Sequence, residues 1–224
     1  MKNLWTFPSA ETQKRTQGGD NTLDYNIIAT GSTGNAVRIE NIMIDCGIPF
    51  AKMKEDLYKV DTLLITHSHS DHIKQSTLDR IRKEFPGITV YANPDVAYQF
   101  DVDMVVESKP FKLRKRRTII PFPGVHDVPV TGYIIQMNKL NILYMTDTAK
   151  VDPPDIPLDY VFLESNFDER KIRQESKKYK RHGYDPYLSV TRHLSTQKCK
   201  EFYFTHRRNE ESKLIELHQS NRFY

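Results

Sequence analysis

The stretch that decides the fold is short and polar, and it reads Thr66-His67-Ser68-His69-Ser70-Asp71-His72. It directly follows an apolar run, Leu63-Leu64-Ile65, that is typical of a buried strand. Side chains at the end of such a strand project into a site rather than into the core. Three imidazoles and a carboxylate are ligands that suit a borderline metal such as zinc. The stretch therefore predicts a metal centre at the end of a strand.

Length and composition exclude several classes of protein. A chain of 224 residues with 38% hydrophobic and 28% charged residues is typical of a soluble globular protein with a good core. Because no apolar run approaches the length of a membrane span and the N-terminus has no signal-peptide core, we expect a cytoplasmic protein. Cys46 and Cys199 make no disulfide framework, so we expect both to be reduced. Cys46 follows Asp45 and could reach the metal, but a small buried hydrophobic residue is the favoured interpretation.

The net charge of +4 is mild, but the basic residues are clustered. Such clusters suit ligands that carry phosphate, and they equally suit a solvated loop or helix face. The first cluster comprises Lys112, Arg114, Lys115, Arg116 and Arg117, and the second comprises Arg170, Lys171, Arg173, Lys177, Lys178, Lys180 and Arg181.

The order of elements predicts an α/β fold. Residues 1–21 are interpreted as a polar N-terminal extension and residues 22–224 as a single domain. Helices are predicted over 51–59 and 77–85, from the Asn93-Pro94 start, and from a Ser195 cap to about Arg207. The pattern indicates two packed sheets flanked by helices. Strands are predicted over 23–30, 37–39, 42–44, 63–66, 88–91, 102–106, 118–122, 132–136, 142–145, 160–163 and 213–217.

Further candidate ligands recur where later strands end. Two zinc ions about 3.5–4 Å apart form a clamp for displacement at phosphorus, and each needs about three protein ligands. Such a clamp lowers the pKa of a bound water toward about 7, which gives a hydroxide nucleophile. The predicted ligands are His67, His69 and His126 for one metal, Asp71, His72 and His218 for the other, and Asp147 as a bridge between them.

Other polar residues have supporting roles in this hypothesis. Asp45 follows an apolar strand, and we expect it to accept a hydrogen bond from a ligating histidine, although an Asx-turn into the following glycine also fits. His193 precedes the last helix and can protonate a leaving oxygen. The alternative is a histidine at the start of that helix with no chemical role. His206 competes with His218 as the last ligand, but it falls on a predicted helix, so His218 is preferred. His182 is expected to be solvated.

These motifs resemble the metallo-β-lactamase fold superfamily over about residues 22–224. The family signature H-x-H-x-D-H stands at residues 67–72. The resemblance implies an αββα sandwich, two packed sheets flanked by helices, that binds metal. The remaining matching motifs are Gly31-Ser32-Thr33-Gly34-Asn35, Ile44-Asp45-Cys46-Gly47, Val125-His126-Asp127, Tyr144-Met145-Thr146-Asp147-Thr148, Leu163-Glu164-Ser165-Asn166, His193-Leu194-Ser195 and Leu217-His218.

The His193-Leu194-Ser195 motif is similar to that of the ribonuclease Z-like branch, where such a histidine assists phosphodiester cleavage. The long tRNA-gripping arm of that branch is missing, because only a short hairpin separates His126 from Asp147. Two compact groups are similar, namely the bacterial exonuclease-like group and the phage-encoded anti-Pycsar enzymes, which hydrolyse cyclic CMP and cyclic UMP. Arg192 replaces the glycine that is usual before the histidine in the exonuclease-like group.

The resemblance to the phage enzymes implies a dinuclear zinc phosphodiesterase, with Mn²⁺ as a substitute, that opens 3′,5′-cyclic nucleotides to linear monophosphates. In this hypothesis a bridging hydroxide attacks phosphorus, His193 protonates the departing ribose oxygen, and Asp71 both binds metal and orients the hydroxide. Ser32 and Asn166 are expected to contact the substrate. The setting would be the host-cell cytoplasm if the protein is viral, where it would counter cyclic-nucleotide immune signalling.

Two alternatives stay open. A single-strand nuclease would use the basic clusters as a groove for the nucleic-acid backbone and Tyr179, Tyr184 and Tyr187 as stacking rings. A nucleotide-binding protein without activity is disfavoured, because binding needs neither two metals nor a spare histidine. Related compact enzymes are often homodimers, and residues 168–181 form either a loop that completes a partner's pocket or a disordered basic loop.

Overall fold

The computed structural model describes residues 22–179, 192–220 and 224. The predicted N-terminal extension, His182, Tyr184 and Tyr187 lie outside the described residues. Among the described helices, none combines the length and the apolar character that crossing a bilayer requires.

Two six-stranded sheets form the centre of the described part of the fold. In the first sheet, β1 to β3 are antiparallel and β3 to β6 are parallel. In the second, β7 to β10 are antiparallel and β10 to β12 are parallel. The strands of the first are β1 Tyr25–Ala29, β2 Ala36–Ile39, β3 Ile42–Ile44, β4 Thr62–Leu64, β5 Thr89–Ala92 and β6 Met104–Val105. Those of the second are β7 Phe111–Leu113, β8 Arg117–Pro123, β9 Thr131–Met137, β10 Leu140–Met145, β11 Tyr160–Glu164 and β12 Lys213–Leu217.

The helices start where the capping residues predict. The Asn93 side chain accepts a hydrogen bond from the Val96 amide, and Pro94 occupies the first helical position. The Ser195 side chain accepts from the Lys198 amide in the same way. The described helices are α1 Phe50–Leu57, α2 Gln75–Glu84, α3 Pro94–Gln99, α4 Glu169–Tyr179 and α5 Thr196–His206.

Three apolar layers hold the sandwich together. Between the sheets, β2 residues such as Val37 and Ile39 pack with Tyr133, Tyr144 and Phe162 of the second sheet. Residues of α1, α2 and α3 pack on the outer face of the first sheet, and residues of α5 pack on that of the second. Burying apolar side chains on both faces of each sheet supplies most of the stabilisation. The predicted αββα arrangement is confirmed.

One prediction was wrong over its described part. Residues 168–181 were expected to form a loop, but Glu169–Tyr179 is a helix. Asp168 caps it, because its carboxylate accepts hydrogen bonds from the amides of Arg170 and Lys171. Ile172 is fully buried and packs on Phe167. Most of its other residues are charged, and such a basic run is equally typical of a solvated loop, so the sequence did not distinguish a helix from a loop.

Candidate active site

The candidate site lies where the carboxyl ends of several strands meet. β10, β11 and β12 are parallel neighbours, so Asp147, Glu164 and His218 emerge at the same edge of the second sheet. His67 follows β4, and the adjacent Thr66 carbonyl accepts a hydrogen bond from the Thr131 amide of β9. The two sheets therefore bring their strand-end residues to one place, as sites in layered folds commonly do.

Three residues of the site have left-handed backbone conformations, with φ of 63° at Asp45, 54° at Asp147 and 52° at His218. This conformation is uncommon for residues other than glycine, and it clusters at functional sites. At each of these positions the chain turns just after a strand and directs a polar side chain into the site.

The first group of predicted ligands is brought together. One ligand atom from each of His67, His69 and His126 lies within 4.8 Å of the others. His67 Nε2 is 3.2 Å from His69 Nδ1, close to the separation of about 3.3 Å that two nitrogens of a tetrahedral zinc site have. Burial lowers the pKa of His67 to about 2, so it is the neutral imidazole that a metal requires. These residues fit a metal ion.

Two of the three residues predicted to hold the second metal, His72 and His218, contact Asp147. Its Oδ2 lies 2.9 Å from His72 Nε2, and its Oδ1 lies 3.0 Å from His218 Nδ1. Asp71 Oδ2 is 3.6 Å from the same His72 nitrogen. Burial opposes ionisation of Asp147, but hydrogen bonds from His218 and His72 outweigh it and hold its pKa well below the usual value. Asp147 therefore contacts His72 and His218 at once, and its role as a bridge between two metals stays a prediction.

The carboxylates make the site attractive to cations. Burial disfavours a charged imidazole, yet Asp45 and Asp147 raise the pKa of His72 to about 10. Burial likewise opposes charge on His218, and Asp147 and Glu164 raise its pKa to about 10. Since protons are drawn to these positions so strongly, a metal cation would be stabilised there as well.

Asp45 makes the contact predicted for it. Its Oδ2 lies 2.7 Å from His72 Nδ1, and it also accepts hydrogen bonds from the amide and hydroxyl of Thr66. The alternative Asx-turn is wrong, because the Gly47 amide donates to the Asn35 carbonyl instead. Asp45 thus leaves Nε2 of His72 directed at Asp147 and Asp71, as a ligating histidine requires.

Glu164 was missed by the sequence reasoning. It is fully buried, with Oε1 2.6 Å from His193 Nδ1 and 3.2 Å from His218 Nδ1. Its Oε2 accepts hydrogen bonds from the amides of Thr148 and Leu194. An acidic residue at the end of a fully buried strand was the available signal, since buried carboxylates need such partners. Glu164 brings His193 into the site.

Asn35 was also given no role. Its Oδ1 accepts from the Gly31 amide, which directs Nδ2 at His72 Nε2, 2.9 Å away, and at the Asp71 carbonyl, 3.2 Å away. Its backbone amide donates to the same carbonyl. The turn at residues 31–35 therefore holds the segment that carries Asp71 and His72.

The two predicted substrate contacts are placed differently. Ser32 is exposed in the turn at residues 31–35. The preceding residue, Gly31, lies against the His218 ring, so the turn stands beside His218. Asn166 is 7% exposed, and its side-chain Nδ2 donates a hydrogen bond to the His218 carbonyl. The observed contact assigns Asn166 to holding His218, and a direct substrate contact of either residue stays a prediction.

Two weaker candidates are accounted for. His206 lies at the end of α5, where its Nδ1 pairs with the Phe202 carbonyl and its ring stacks on that phenyl ring. This supports the preference for His218 over His206. Cys46 is fully buried, and burial together with the Asp45 charge raises the pKa of its thiol to about 12. It is therefore a small buried side chain rather than a thiolate ligand.

The basic clusters lie at different ends of the fold. Arg117 pairs with Asp61 at 2.9 Å, just before β4, whereas the metal ligands follow the other end of that strand. Six residues of extended chain separate Asp61 from His67 by roughly 20 Å. The first cluster therefore lies away from the proposed ligands, and its role as part of a substrate groove stays a prediction. The second cluster begins on α4, close behind Asn166, at the site end of the fold.

Comparisons with known proteins agree with this geometry. A family model described as a beta-lactamase superfamily domain matches residues 40–196. The exodeoxyribonuclease YycJ of Bacillus anthracis is 34% identical over 83 residues, which is 32% of this chain and 30% of that relative. The alignment thus spans about a third of the relative's length.

Solved structures share the fold at low sequence identity. The metallo-beta-lactamase fold protein YhfI of Bacillus subtilis has a TM-score of 0.66 at 15% identity, over 88% of this chain and 86% of that one. A diphosphatase from the PhnP family has a TM-score of 0.64 at 17% identity, over 89% and 87%. The short form of human tRNase Z has a TM-score of 0.62 at 17% identity, over 88% and 93%. Since the family model covers more than half of the sequence, the chain belongs to the beta-lactamase superfamily, whose fold relatives are metal-dependent hydrolases.

Proposed function

We propose that this protein is a dinuclear zinc phosphodiesterase. The observation that carries the proposal is the position of Asp147, with one oxygen 2.9 Å from His72 and the other 3.0 Å from His218, beside the trio of His67, His69 and His126. Asp71 completes the second set. When bound, two zinc ions would supply a nucleophilic hydroxide and neutralise charge developing at phosphorus.

The donor set favours zinc. Five imidazoles and two carboxylates make a nitrogen-rich site, whereas magnesium, calcium and manganese prefer sites dominated by oxygen. Manganese is therefore a substitute rather than the preferred metal. Buried carboxylate partners such as Asp45, at 2.7 Å from His72, orient the ligands and tune their basicity.

His193 is the proposed general acid. Its Nδ1 lies 2.6 Å from Glu164, so this nitrogen carries a proton that the carboxylate accepts, and Nε2 is left to exchange a proton with substrate. The ring lies near those of His126 and His218, with centroids 5.6 and 5.3 Å away. A side chain that is 17% exposed can be reached by the leaving oxygen of a substrate held at the site.

Two substrate classes fit this chemistry. The resemblance of the motifs to phage enzymes favours 3′,5′-cyclic nucleotides, and with it a role against host signalling and a homodimer. The sequence identity with an exodeoxyribonuclease and the basic residues of α4 at the site end favour a single-strand nuclease. Both reactions cleave a phosphodiester at the same groups.

The test uses zinc-loaded protein with the four common 3′,5′-cyclic mononucleotides and, in parallel, labelled single-stranded DNA and RNA. Chelator-treated protein is the control, and His206→Ala is the matched histidine variant for His193→Ala. Chelator-sensitive conversion of cyclic nucleotides alone would establish the first substrate class, and degradation of nucleic acid alone would establish the second. If no phosphodiester is cleaved while two zinc ions are bound, the proposal is wrong.

A further inference from the structure

A charged pair lies against the first group of proposed ligands and has no part in the mechanism above. Asp127 Oδ1 is 3.0 Å from His126 Nε2 and 3.5 Å from His69 Nε2. Its other oxygen accepts a hydrogen bond from Nη1 of Arg192. Arg192 directly precedes His193, so one member of the pair lies beside the proposed general acid in the chain.

The two nitrogens of His69 show on which side of the site this pair stands. Nδ1 faces His67, towards the point where the ligands converge, and Nε2, on the opposite edge of the ring, faces Asp127. The Arg192 guanidinium is therefore linked through the Asp127 carboxylate to the edge of the His69 ring opposite the nitrogen that faces His67. From this edge of the ring, Arg192 is placed to meet a group that neighbours the scissile phosphate rather than the scissile phosphate itself.

The chemistry of the pair suits a second anion. The side chains of Arg192 and Asp127 are 54% and 36% exposed. A salt bridge exposed to this extent contributes little to stability. A guanidinium has five N–H donors in a planar fork, which matches the oxygens of a phosphate. The site is otherwise rich in carboxylates. Among the described residues, Arg192 is the arginine or lysine that pairs with Asp127, the carboxylate in contact with His69 and His126.

We propose that Arg192, oriented by Asp127, binds the phosphate group next to the one that is cleaved, so that the substrate is a polynucleotide strand. This inference rests on the proposed phosphodiesterase function and narrows it. A cyclic mononucleotide has a single phosphate, which cannot occupy the metal site and the Arg192 subsite together. A strand with two successive phosphodiesters can occupy both.

The experiment compares two substrates that differ by one phosphodiester, the thymidine dinucleotide with one and the thymidine trinucleotide with two. We expect the zinc-loaded wild type to cleave the trinucleotide with a kcat/KM about tenfold higher, as one charged hydrogen bond allows. In Arg192→Gln the ratio of the two kcat/KM values should fall to about one, through a rise in KM for the trinucleotide. Arg192→Lys should restore part of the ratio, because it keeps the charge without the fork.

Arg208→Gln is the control, because Arg208 pairs with Asp159 in a partly exposed salt bridge just before β11, at the other end of the strand. This variant should keep the wild-type ratio. The slope of log binding constant against log salt concentration for the trinucleotide should fall by about one in Arg192→Gln and stay unchanged in Arg208→Gln. An unchanged ratio in Arg192→Gln, or an equal loss on both substrates, would overturn the subsite. A wild type that cleaves neither oligonucleotide but opens cyclic nucleotides overturns the inference and leaves the phosphodiesterase intact, whereas one that cleaves nothing overturns both.

Discussion

Replacing Gly47 by alanine should displace the segment that carries Asp71 and His72. A Cβ atom at Gly47 would lie 1.7 Å from the Asp71 carbonyl oxygen, 2.0 Å from its carbon and 2.5 Å from the His72 nitrogen. Real Cβ contacts are essentially never below 3.0 Å, so the two backbones would have to separate by more than an ångström. No side-chain rotation can relieve this contact, because all three atoms belong to the backbone.

The separation would break local hydrogen bonds. The Gly47 amide donates to the Asn35 carbonyl, and the amides of Asn35 and Cys46 donate to the carbonyls of Asp71 and His72. An overpacked contact costs about 1–3 kcal/mol and a lost hydrogen bond about 1 kcal/mol. We therefore expect Gly47→Ala to lower the free energy of unfolding by about 2–4 kcal/mol, which is roughly 10 °C in Tm for a chain of this length.

The displaced ligands should also weaken the second zinc site. A loss of metal affinity on the order of 10–100-fold is typical when the groups that orient the ligands are disturbed. Zinc titration against a competing chromogenic chelator measures this loss, and thermal unfolding with and without zinc measures the stability.

Gly87→Ala is the matched control, because a Cβ atom at Gly87 meets nothing within 4 Å. Neither glycine has a positive φ, so the comparison isolates the steric effect from backbone strain. If Gly47→Ala and Gly87→Ala unfold at the same temperature and bind two zinc ions equally well, the reasoning from the close backbone contact is wrong.

Four other outcomes are expected. His67→Ala should lose zinc from the first site, measured as metal content after gel filtration, whereas His193→Ala should keep both metals and lose turnover by about 10²–10⁴-fold. Unimpaired turnover in His193→Ala would remove its role as the acid. Asp45→Asn should weaken zinc binding by about 10–100-fold in a titration, because the amide is a poorer acceptor for His72 Nδ1, and an unchanged affinity would show that this contact does not orient the ligand. Removing zinc with a chelator should lower the free energy of unfolding by about 4 kcal/mol relative to zinc at a thousand times its Kd, and equal melting curves would argue against a bound metal.

Local patterns predicted most of the elements because their signals are short in range. Alternating apolar runs, glycine turns and capping residues such as Asn93 and Ser195 act within a few residues, and the structure has strands and helices where they predicted them. α4 escaped notice because its charged run, with Ile172 as its single described core residue, is equally typical of a basic loop. β7, Phe111–Leu113, escaped because it lies within a basic cluster that is typical of a loop.

The candidate metal ligands could be named from the sequence because each is a histidine or aspartate that follows a strand, and this is a property of residue type and local order. The sequence could not reveal which residues share a contact across the fold. Glu164 meets His193 and His218 from 29 and 54 residues away, and Asp127 meets Arg192 from 65 residues away. These pairs depend on the order of strands in two packed sheets. That order is decided by the packing of the whole core, and only the tertiary structure shows it.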